Sequence, residues 1–464
     1  MVQRDGTNLK IEVKNKLFTQ CIATAGVMVL IIQTGIMGGW TSPNMARLTS
    51  ENSTIPITLS EASWVASCLN LGRFVSVVLV PIFIELAGSK KTILLSFLPV
   101  TASWIVCMIA NSAMMLYTAR FLCGITYGLT YGCFSMYLGE VSVAAYRGTF
   151  VSIAMIGWPL GSVIGTIAET YLPMAVSSSI YLAQCLAGIM ILIWLPDSPY
   201  QLVKNKQLDR ARESLAWYRG HSNTEQEMDK ILEFIESNAK QTFGERMQQL
   251  GSKPVRRAVF IVVIIFAFPQ LVGLFNVFYY MELILTNGKS FLVEPSEFVI
   301  YANLVLFAST VATANLIDKL GRRVLLMASG LGVTVALAGL GLHYFLLGNA
   351  RVDPVSMQWL PVASIVLFVI TYTVGFLTVP STVLGEMFPA NIKSTAAGFT
   401  SLTSALLGFL ASKAYQPMVD AIGEAYVFWI HALFSALAVP VALFLLPETK
   451  GKSFQEIQID LHKK

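Results

Sequence analysis

Apolar stretches of about 20 residues recur along almost the whole 464-residue chain, each long enough to cross a bilayer as a helix. Spans are read at 18–39, 63–84, 92–111, 114–137, 149–171, 177–195, 256–285, 297–317, 324–347, 359–385, 395–415 and 425–446. Lipid offers no hydrogen-bond partner to a bare backbone amide, so each must be helical. Only 13% of the residues are charged, about half of what a soluble domain carries. The expectation is an all-α membrane protein with twelve transmembrane helices, a lipid bilayer being its solvent. The first apolar run, starting near Phe18, is too long for a cleavable leader and lacks a small-residue cleavage site.

Charge placement sets the orientation. With the N-terminus inside, the inner segments hold Arg4, Lys10, Lys14, Lys16, Lys90, Lys91 and Arg147, then eleven bases between Lys204 and Arg257. Lys319, Arg322, Arg323, Lys393, Lys450, Lys452, Lys463 and Lys464 follow. The outer loops hold Arg47, Lys289, Arg351 and Lys413, so the count is 26 against 4. Basic residues stay on the cytoplasmic side, which places both termini there. The sequon Asn52-Ser53-Thr54 falls in the first outer loop and marks Asn52 for glycosylation. The organisation expected is a tail over 1–17, a six-helix bundle over 18–195, a cytoplasmic linker over 196–255, a second bundle over 256–446 and a tail over 447–464. In the linker, Leu208 to Leu215 and Met228 to Ile235 space apolar residues helically among charges, which predicts short amphipathic helices on the inner membrane face.

Several function classes drop out. There is no P-loop, nucleophile elbow or metal cluster, so no enzyme, cofactor or metal is expected. The net charge of +5 is explained by topology and does not suggest nucleic acid. Cys21, Cys68, Cys107, Cys123, Cys133 and Cys185 show no CxxC pairing or metal-ligand spacing and read as small apolar packing residues. His343 and His431 are lone histidines in spans and read the same way.

The two halves repeat their loop chemistry. Glu85-Leu-Ala-Gly88-Ser-Lys90-Lys91 after span 2 matches Asp318-Lys-Leu-Gly321-Arg322-Arg323 after span 8. Gly139-Glu140 with Arg147 seven residues on matches Gly385-Glu386 with Lys393 at the same spacing. Pro196-Asp197-Ser198-Pro199 matches Pro447-Glu448-Thr449-Lys450-Gly451. Parallel repeats related by an axis along the membrane normal characterise a transporter class that binds substrate near the midplane. Glu140, Arg147, Asp197, Asp318, Arg322, Arg323, Glu386, Lys393 and Glu448 are therefore expected to form a cytoplasmic gate. It would hold the outward-open state and break on inward opening. Topology anchoring alone would need the bases but not acids at fixed spacing from them.

At these residues the chain resembles the sugar porter family of the major facilitator superfamily over nearly its whole length. Gly321-Arg322-Arg323, Pro196-Asp197-Ser198-Pro199, Gly139-Glu140 to Arg147-Gly148 and Pro447-Glu448-Thr449-Lys450-Gly451 carry the likeness. It is similar to the insect facilitated trehalose transporter branch through Pro199-Tyr200, Ala211 to Gly220 and Gly39-Trp40-Thr41-Ser42-Pro43. The resemblance implies two pseudo-symmetric six-helix bundles alternating access to a central hexose or disaccharide site at the cell membrane, with no oligomer required.

Span 7 holds Pro269, Gln270, Gly273, Phe275, Asn276, Tyr279 and Tyr280; Pro and Gly inside a membrane helix suggest a broken segment facing protein or a cavity. Gln270 and Asn276 offer amides for sugar hydroxyls, and Tyr279 with Tyr280 an outer gate. Against the family pattern, Pro269 stands at the first Gln position and Phe275 at the Asn position. Met155 stands at the span 5 Gln position, Leu306 at the span 8 Asn position, and Ser401 and Ala405 at the span 11 Asn positions. Ser381 stands where span 10 has a Trp. Gln33 stands at the Asp position that proton-coupled members pair with an Arg in span 4, here Arg120; an amide does not titrate, which favours uncoupled transport. Arg73 lies about 18 Å deep in span 2, and an intramembrane Arg by default marks a functional site or buried ion pair. Glu282 is the expected partner of Arg73 or Arg120. Three readings stay open: a facilitative trehalose or hexose transporter using Gln33, Gln270, Phe275, Asn276, Tyr279, Tyr280 and Ser401; a carrier of an organic anion or other polar metabolite using Arg73; and a non-transporting sugar sensor.

Overall fold

A computed structural model describes residues 6–219, 224–239, 253–348, 354–388, 390–452 and 456. Among the described residues there is no strand. Eleven helices are long and apolar enough to cross a membrane, and Ala113–Val141, 29 residues long, makes a twelfth. The spans are Gly6–Gly39, Leu59–Ala87, Ser89–Met108, Ala113–Val141, Arg147–Met155 continued by Gly157–Tyr171, and Met174–Trp194 in the first half. The second half holds Lys253–Leu271 continued by Leu274–Tyr279 and Met281–Asn287, then Pro295–Leu320 and Arg322–Gly348. Trp359–Tyr372, Thr373–Leu377 and Val379–Met387 form span 10, followed by Ala390–Ile422 and Glu424–Phe444. Span 1 is helical from Gly6, earlier than its apolar run begins, so residues 6–17 of the expected tail belong to its helix.

Burial here separates helix contacts from lipid-facing surface rather than from water. Leu86, Met190, Ile193, Leu433 and Phe444 are all more than 60% exposed, as residues facing acyl chains should be. With tails as apolar as leucine on both sides, helices associate through close backbone packing at small residues. A Cβ at Gly72 of span 2 would lie 2.0 Å from the Phe121 carbonyl oxygen of span 4, and one at Gly124 would lie 2.0 Å from the Leu69 carbonyl oxygen. Gly35 of span 1 meets the Trp158 carbonyl of span 5 at the same distance.

The repeat is visible in the backbone. Gly88 ends span 2 at φ 84° and Gly321 ends span 8 at φ 87°, a conformation that favours glycine. Both glycines turn the chain directly into the next helix, which starts at Ser89 or Arg322. The opposite end of span 2 is fixed locally: Thr58 and Glu61 form a reciprocal capping box, with the Thr58 N–H donating to Glu61 at 2.8 Å and the Glu61 N–H to Thr58 Oγ1 at 3.2 Å.

With twelve spans, the first and last described stretches, at Gly6 and Lys452, lie on one face, the terminal face. There Pro199–Lys204, Leu208–Arg219 and Thr224–Ala239 bury Leu202, Val203, Ala211, Leu215, Met228 and Ile231 against one another. They dock on the first half: Tyr218 bonds the Tyr137 hydroxyl at 3.1 Å and the Pro196 carbonyl at 2.9 Å, and the Gln20 amide donates to the Tyr218 carbonyl. The predicted amphipathic helices exist, but their apolar faces cover each other and the end of the first bundle. The rest of the linker, 240–252, lies outside the described residues.

Candidate functional site

The seam between the halves is stitched from mid-depth out to the face opposite the termini. Nearest that face, the Lys413 ammonium of span 11 donates to Ser63 Oγ at 2.7 Å and sits 4.2 Å from the centre of the Trp64 ring in span 2. Trp64 also packs on Phe409. The Glu282 N–H donates to Ser42 Oγ at 3.0 Å. Between spans 5 and 8, Ser162 donates to Asn303 Oδ1 at 2.6 Å and the Asn303 amide donates to Thr166 at 3.1 Å. Toward the terminal face the segments separate: Arg147–Met155 packs on spans 1 and 4, and Lys253–Leu271 on spans 10, 11 and 12. Among the described residues, the hydrogen bonds between the halves lie from mid-depth to the opposite face, so the seam opens toward the terminal side.

At the bottom of this opening lies a polar cluster contributed by both halves. Arg73 of span 2 donates through Nη2 to Ser404 Oγ of span 11 at 3.0 Å. Gln270 of span 7 donates to the same hydroxyl oxygen at 3.0 Å. Asn70, one turn before Arg73, donates to the Gly408 carbonyl at 3.4 Å. The side-chain carbonyls of Asn70 and Gln270 are buried without a partner among the described residues. The rings of Tyr127 and Phe275, one from each half, lie 5.7 and 5.9 Å from the Arg73 guanidinium. Tyr127 stacks on Tyr131 with centroids 4.7 Å apart. The arrangement offers amide and guanidinium hydrogen bonding beside aromatic faces, at the level where the halves meet.

Of the residues expected to contact substrate, the structure brings together Gln270, Phe275 and Arg73. Ser401 lies one turn from Ser404 and is half-buried. Tyr279 packs against Phe275 at 5.1 Å and lies 5.9 Å from the Arg120 guanidinium, so it closes the cluster on the opposite-face side across the seam. Tyr280 turns to Tyr415 within the second half.

Three expectations need correction. Gln33 is fully buried inside the first half, where its amide donates to the Tyr181 carbonyl and to Gln184 at 3.1 Å and accepts from Trp104 at 2.7 Å. Its hydrogen bonds are spent on packing, away from the seam. Asn276 faces span 12: its amide meets His431 Nε2 at 3.0 Å. Glu282 forms no ion pair with Arg73 or Arg120 among the described residues; one carboxylate oxygen is buried without a partner there. Arg120 instead donates to the Met37 carbonyl at 2.8 Å and Thr41 Oγ1 at 2.7 Å, its cation 4.9 Å from the Trp40 ring.

Span 7 breaks as its Pro and Gly foretold. Pro269 sits in the last turn of the first segment, which ends at Leu271, Gly273 takes φ 79°, and the helix restarts at Leu274. The break frees the Leu271 carbonyl, which receives His431 Nδ1 at 2.7 Å. Since Nδ1 donates there, Nε2 is the acceptor for the Asn276 amide. His431 thus bolts both sides of the break and does more than fill space.

Of the nine charged residues expected to form the gate, the eight whose side chains are described bond to groups of their own halves. Glu140 accepts from Ser89 at 2.5 Å, and Lys90 lies 3.4 Å from Asp197. At matching positions Arg322 pairs with Glu386 at 2.7 Å, and Glu448 accepts from the backbone N–H groups of Arg322 and Arg323, both at 3.2 Å. Burial would raise the Glu448 carboxyl, but N–H donors of Lys450, Arg323, Arg322 and Thr449 outweigh it and hold it below the usual carboxylate range. Arg323 donates to the Ala442 carbonyl at 2.7 Å. Arg147 and Lys393 fold back onto the Ser142 and Gly385 carbonyls. The Asp318 side chain lies outside the described residues.

Asn70, Ser404, Ser162 and Asn303 were not singled out from sequence. Asn70 had a usable signal, an amide one helical turn from an intramembrane Arg. Asn303 sits one turn from Leu306, so the polar group of span 8 is displaced rather than lost. Asn52 is exposed in the loop of the opposite face. Five of the six cysteines are buried and Cys21 is exposed; no group of residues suited to a metal occurs among the described residues.

Comparison with known proteins agrees with this architecture. The family described as "Sugar (and other) transporter" matches residues 18–461. The facilitated trehalose transporter Tret1 of Bombyx mori is 31% identical over 461 residues, covering 98% of this chain and 90% of that protein. Tret1 of Polypedilum vanderplanki is 29% identical, covering 95% of this chain and 88% of the relative. The xylose transporter XylE from E. coli in an inward open conformation superposes with a TM-score of 0.74 at 18% identity, covering 96% of this chain and 99% of that one. A POT family transporter in complex with a thioalcohol-conjugated peptide superposes with a TM-score of 0.67 at 12% identity over 91% of this chain and 94% of its own. The structural likeness shows the fold, two six-helix bundles of the major facilitator type, across carriers of unlike cargo. The family match and the silkworm relative both run nearly end to end, and on that ground this multi-pass membrane protein belongs to the sugar (and other) transporter family.

Proposed function

We propose that the chain is a facilitative carrier of a neutral sugar, trehalose or a hexose, working by alternating access at the cell membrane with both termini in the cytoplasm. The observation that carries the reading is the polar and aromatic cluster of Asn70, Arg73, Gln270, Ser404, Tyr127 and Phe275. It straddles two symmetric halves at the depth where the seam opens. Amides and a guanidinium exchange hydrogen bonds with hydroxyls, and aromatic faces take the C–H faces of a pyranose. A buried hydroxyl left unpaired would cost about 1–3 kcal/mol, so such partners are what a sugar requires.

Absence of coupling is inferred from the first half. Gln33 cannot titrate and is locked to Trp104, Tyr181 and Gln184, while Arg120 is held by span 1 carbonyl and hydroxyl groups. The repeated charge clusters would serve as the gate of the terminal face: paired within each half in this state, they would meet across the seam when that face closes. The positive-inside count and the exposed sequon at Asn52 support the cell-membrane orientation. Purified protein in liposomes tests the reading. Labelled trehalose and glucose should equilibrate down their gradients at a rate unchanged by an imposed proton gradient. Concentrative uptake driven by that gradient, or no flux of either sugar, would overturn it. An Asn52→Gln variant should lose a glycan-sized mass increment on expression in insect cells.

A further inference from the structure

Arg73 is unusual for a charge at this depth because no acid among the described residues pairs with it. Its guanidinium lies over the Tyr127 ring of one half and the Phe275 ring of the other, 5.7 and 5.9 Å from their centres. Of the five N–H donors a guanidinium carries, Ser404 takes one at 3.0 Å, and the rest have no partner among the described residues. Beside them stand two acceptors with nothing to accept: Asn70 Oδ1, in a fully buried residue, and Gln270 Oε1, in a residue 6% exposed. Gly408 packs between these two oxygens, and a Cβ there would lie 2.9 Å from the Gln270 oxygen and 3.2 Å from that of Asn70.

We propose that Arg73 is the specificity-determining residue of the central site, reading a pair of hydroxyls on a neutral sugar, with Ser404 as the residue that positions it. The proposal rests on the sugar reading above and names the residues that select the substrate. The donor and acceptor balance carries it. A carboxylate or phosphate would satisfy the guanidinium and leave the two amide oxygens facing like charge. A hydroxyl accepts from Arg73 and donates onward to Gln270 or Asn70, so a diol satisfies every group in the cluster. Because Ser404 Oγ receives both Arg73 and Gln270, one hydroxyl oxygen sets the spacing between the two reading groups. The Arg73–Ser404 bond also crosses the seam, so a sugar that draws Arg73 toward itself loosens a tie between the halves.

Equilibrium exchange of labelled glucose in liposomes, competed by unlabelled glucose, its singly deoxygenated analogues and glucuronate, gives the test. For the wild type, at least one deoxy analogue should compete about tenfold or more weakly than glucose, and glucuronate weakly or not at all. Arg73→Gln should weaken glucose competition to the level of that analogue, so that the two no longer differ. Arg73→Lys should not restore the difference, since an ammonium lacks the planar fork. Ser404→Ala should weaken glucose competition severalfold, less than Arg73→Gln does, and narrow the ranking of analogues. Monodispersity and melting temperature confirm that each variant folds. Stronger competition by glucuronate than by glucose, or full hydroxyl discrimination in folded Arg73→Gln, would overturn the proposal. No glucose exchange at all by the wild type would instead sink the sugar reading itself.

Discussion

Residues that a composition count treats alike divide sharply once their neighbours are known. Gly72 and Gly124 are the contact surface between spans 2 and 4, where each meets a carbonyl oxygen of the facing helix. Gly148 meets nothing within 4 Å. Gly72→Ala should therefore cost about 1–3 kcal/mol or more by overpacking, seen as a lowered melting temperature in detergent, while Gly148→Ala should leave it unchanged. Glu448 gives a pH prediction. Its folded carboxyl is held below its unfolded value, so its contribution is present above the unfolded pKa and is lost as pH falls through the folded one. Acidification from neutral into the carboxylate range should lower the melting temperature of the wild type more than that of Glu448→Gln, which starts lower at neutral pH. An equal acid response in the two would show that this carboxylate is not among the groups responsible.

At the scale of elements, the broken helices are where the sequence spoke most clearly and where partners had to come from elsewhere. Pro269 and Gly273 announce that span 7 cannot run straight, and the structure breaks it between Leu271 and Leu274. The freed carbonyl needs a donor, and span 12 supplies it through His431. A lone histidine 160 residues away carries no sequence signal of that role. His431→Phe keeps the bulk and removes both hydrogen bonds. Maximal exchange rate should fall several-fold with the melting temperature reduced, and His431→Gln should recover part of both. Span 10 shows the same pattern, with a π-helical turn over Thr373–Leu377 between two α segments.

The whole molecule is a two-state device caught in one state. Its opposite face is held by few cross-half ties, among them Lys413 against Trp64 and Ser63. A cation over an aromatic ring contributes about 0.5–2 kcal/mol, comparable with the gap between two conformers of a carrier. Lys413→Met should shift the population toward opening on that side. Cys68, buried one turn from Trp64, reports it: alkylation by a polar maleimide added from the opposite face should run several-fold faster in the variant. An unchanged labelling rate would show that the clamp does not set the equilibrium. The repeated charge clusters complement this. Among the described residues they bond within each half in this state, and the equivalent backbone turns at Gly88 and Gly321 give the terminal face its symmetry.

The chain's own residues determined the spans, their helicity, the doubling of the halves and the break in span 7, because lipid forbids any other backbone and proline and glycine act locally. They also assigned Gln270, Phe275 and Arg73 to their helices. What only tertiary packing decided is which face of each helix meets the seam. An amide in a span looks the same whether it faces cargo or a neighbouring helix: Gln33 and Asn276 turned away to Trp104 and His431, while Asn70, Ser404 and Asn303 turned in. Hydrophobic periodicity cannot settle this, since in a helix apolar on all sides the lipid face and the packed face have the same composition. The partner across the gap decides, and that partner lies hundreds of residues away.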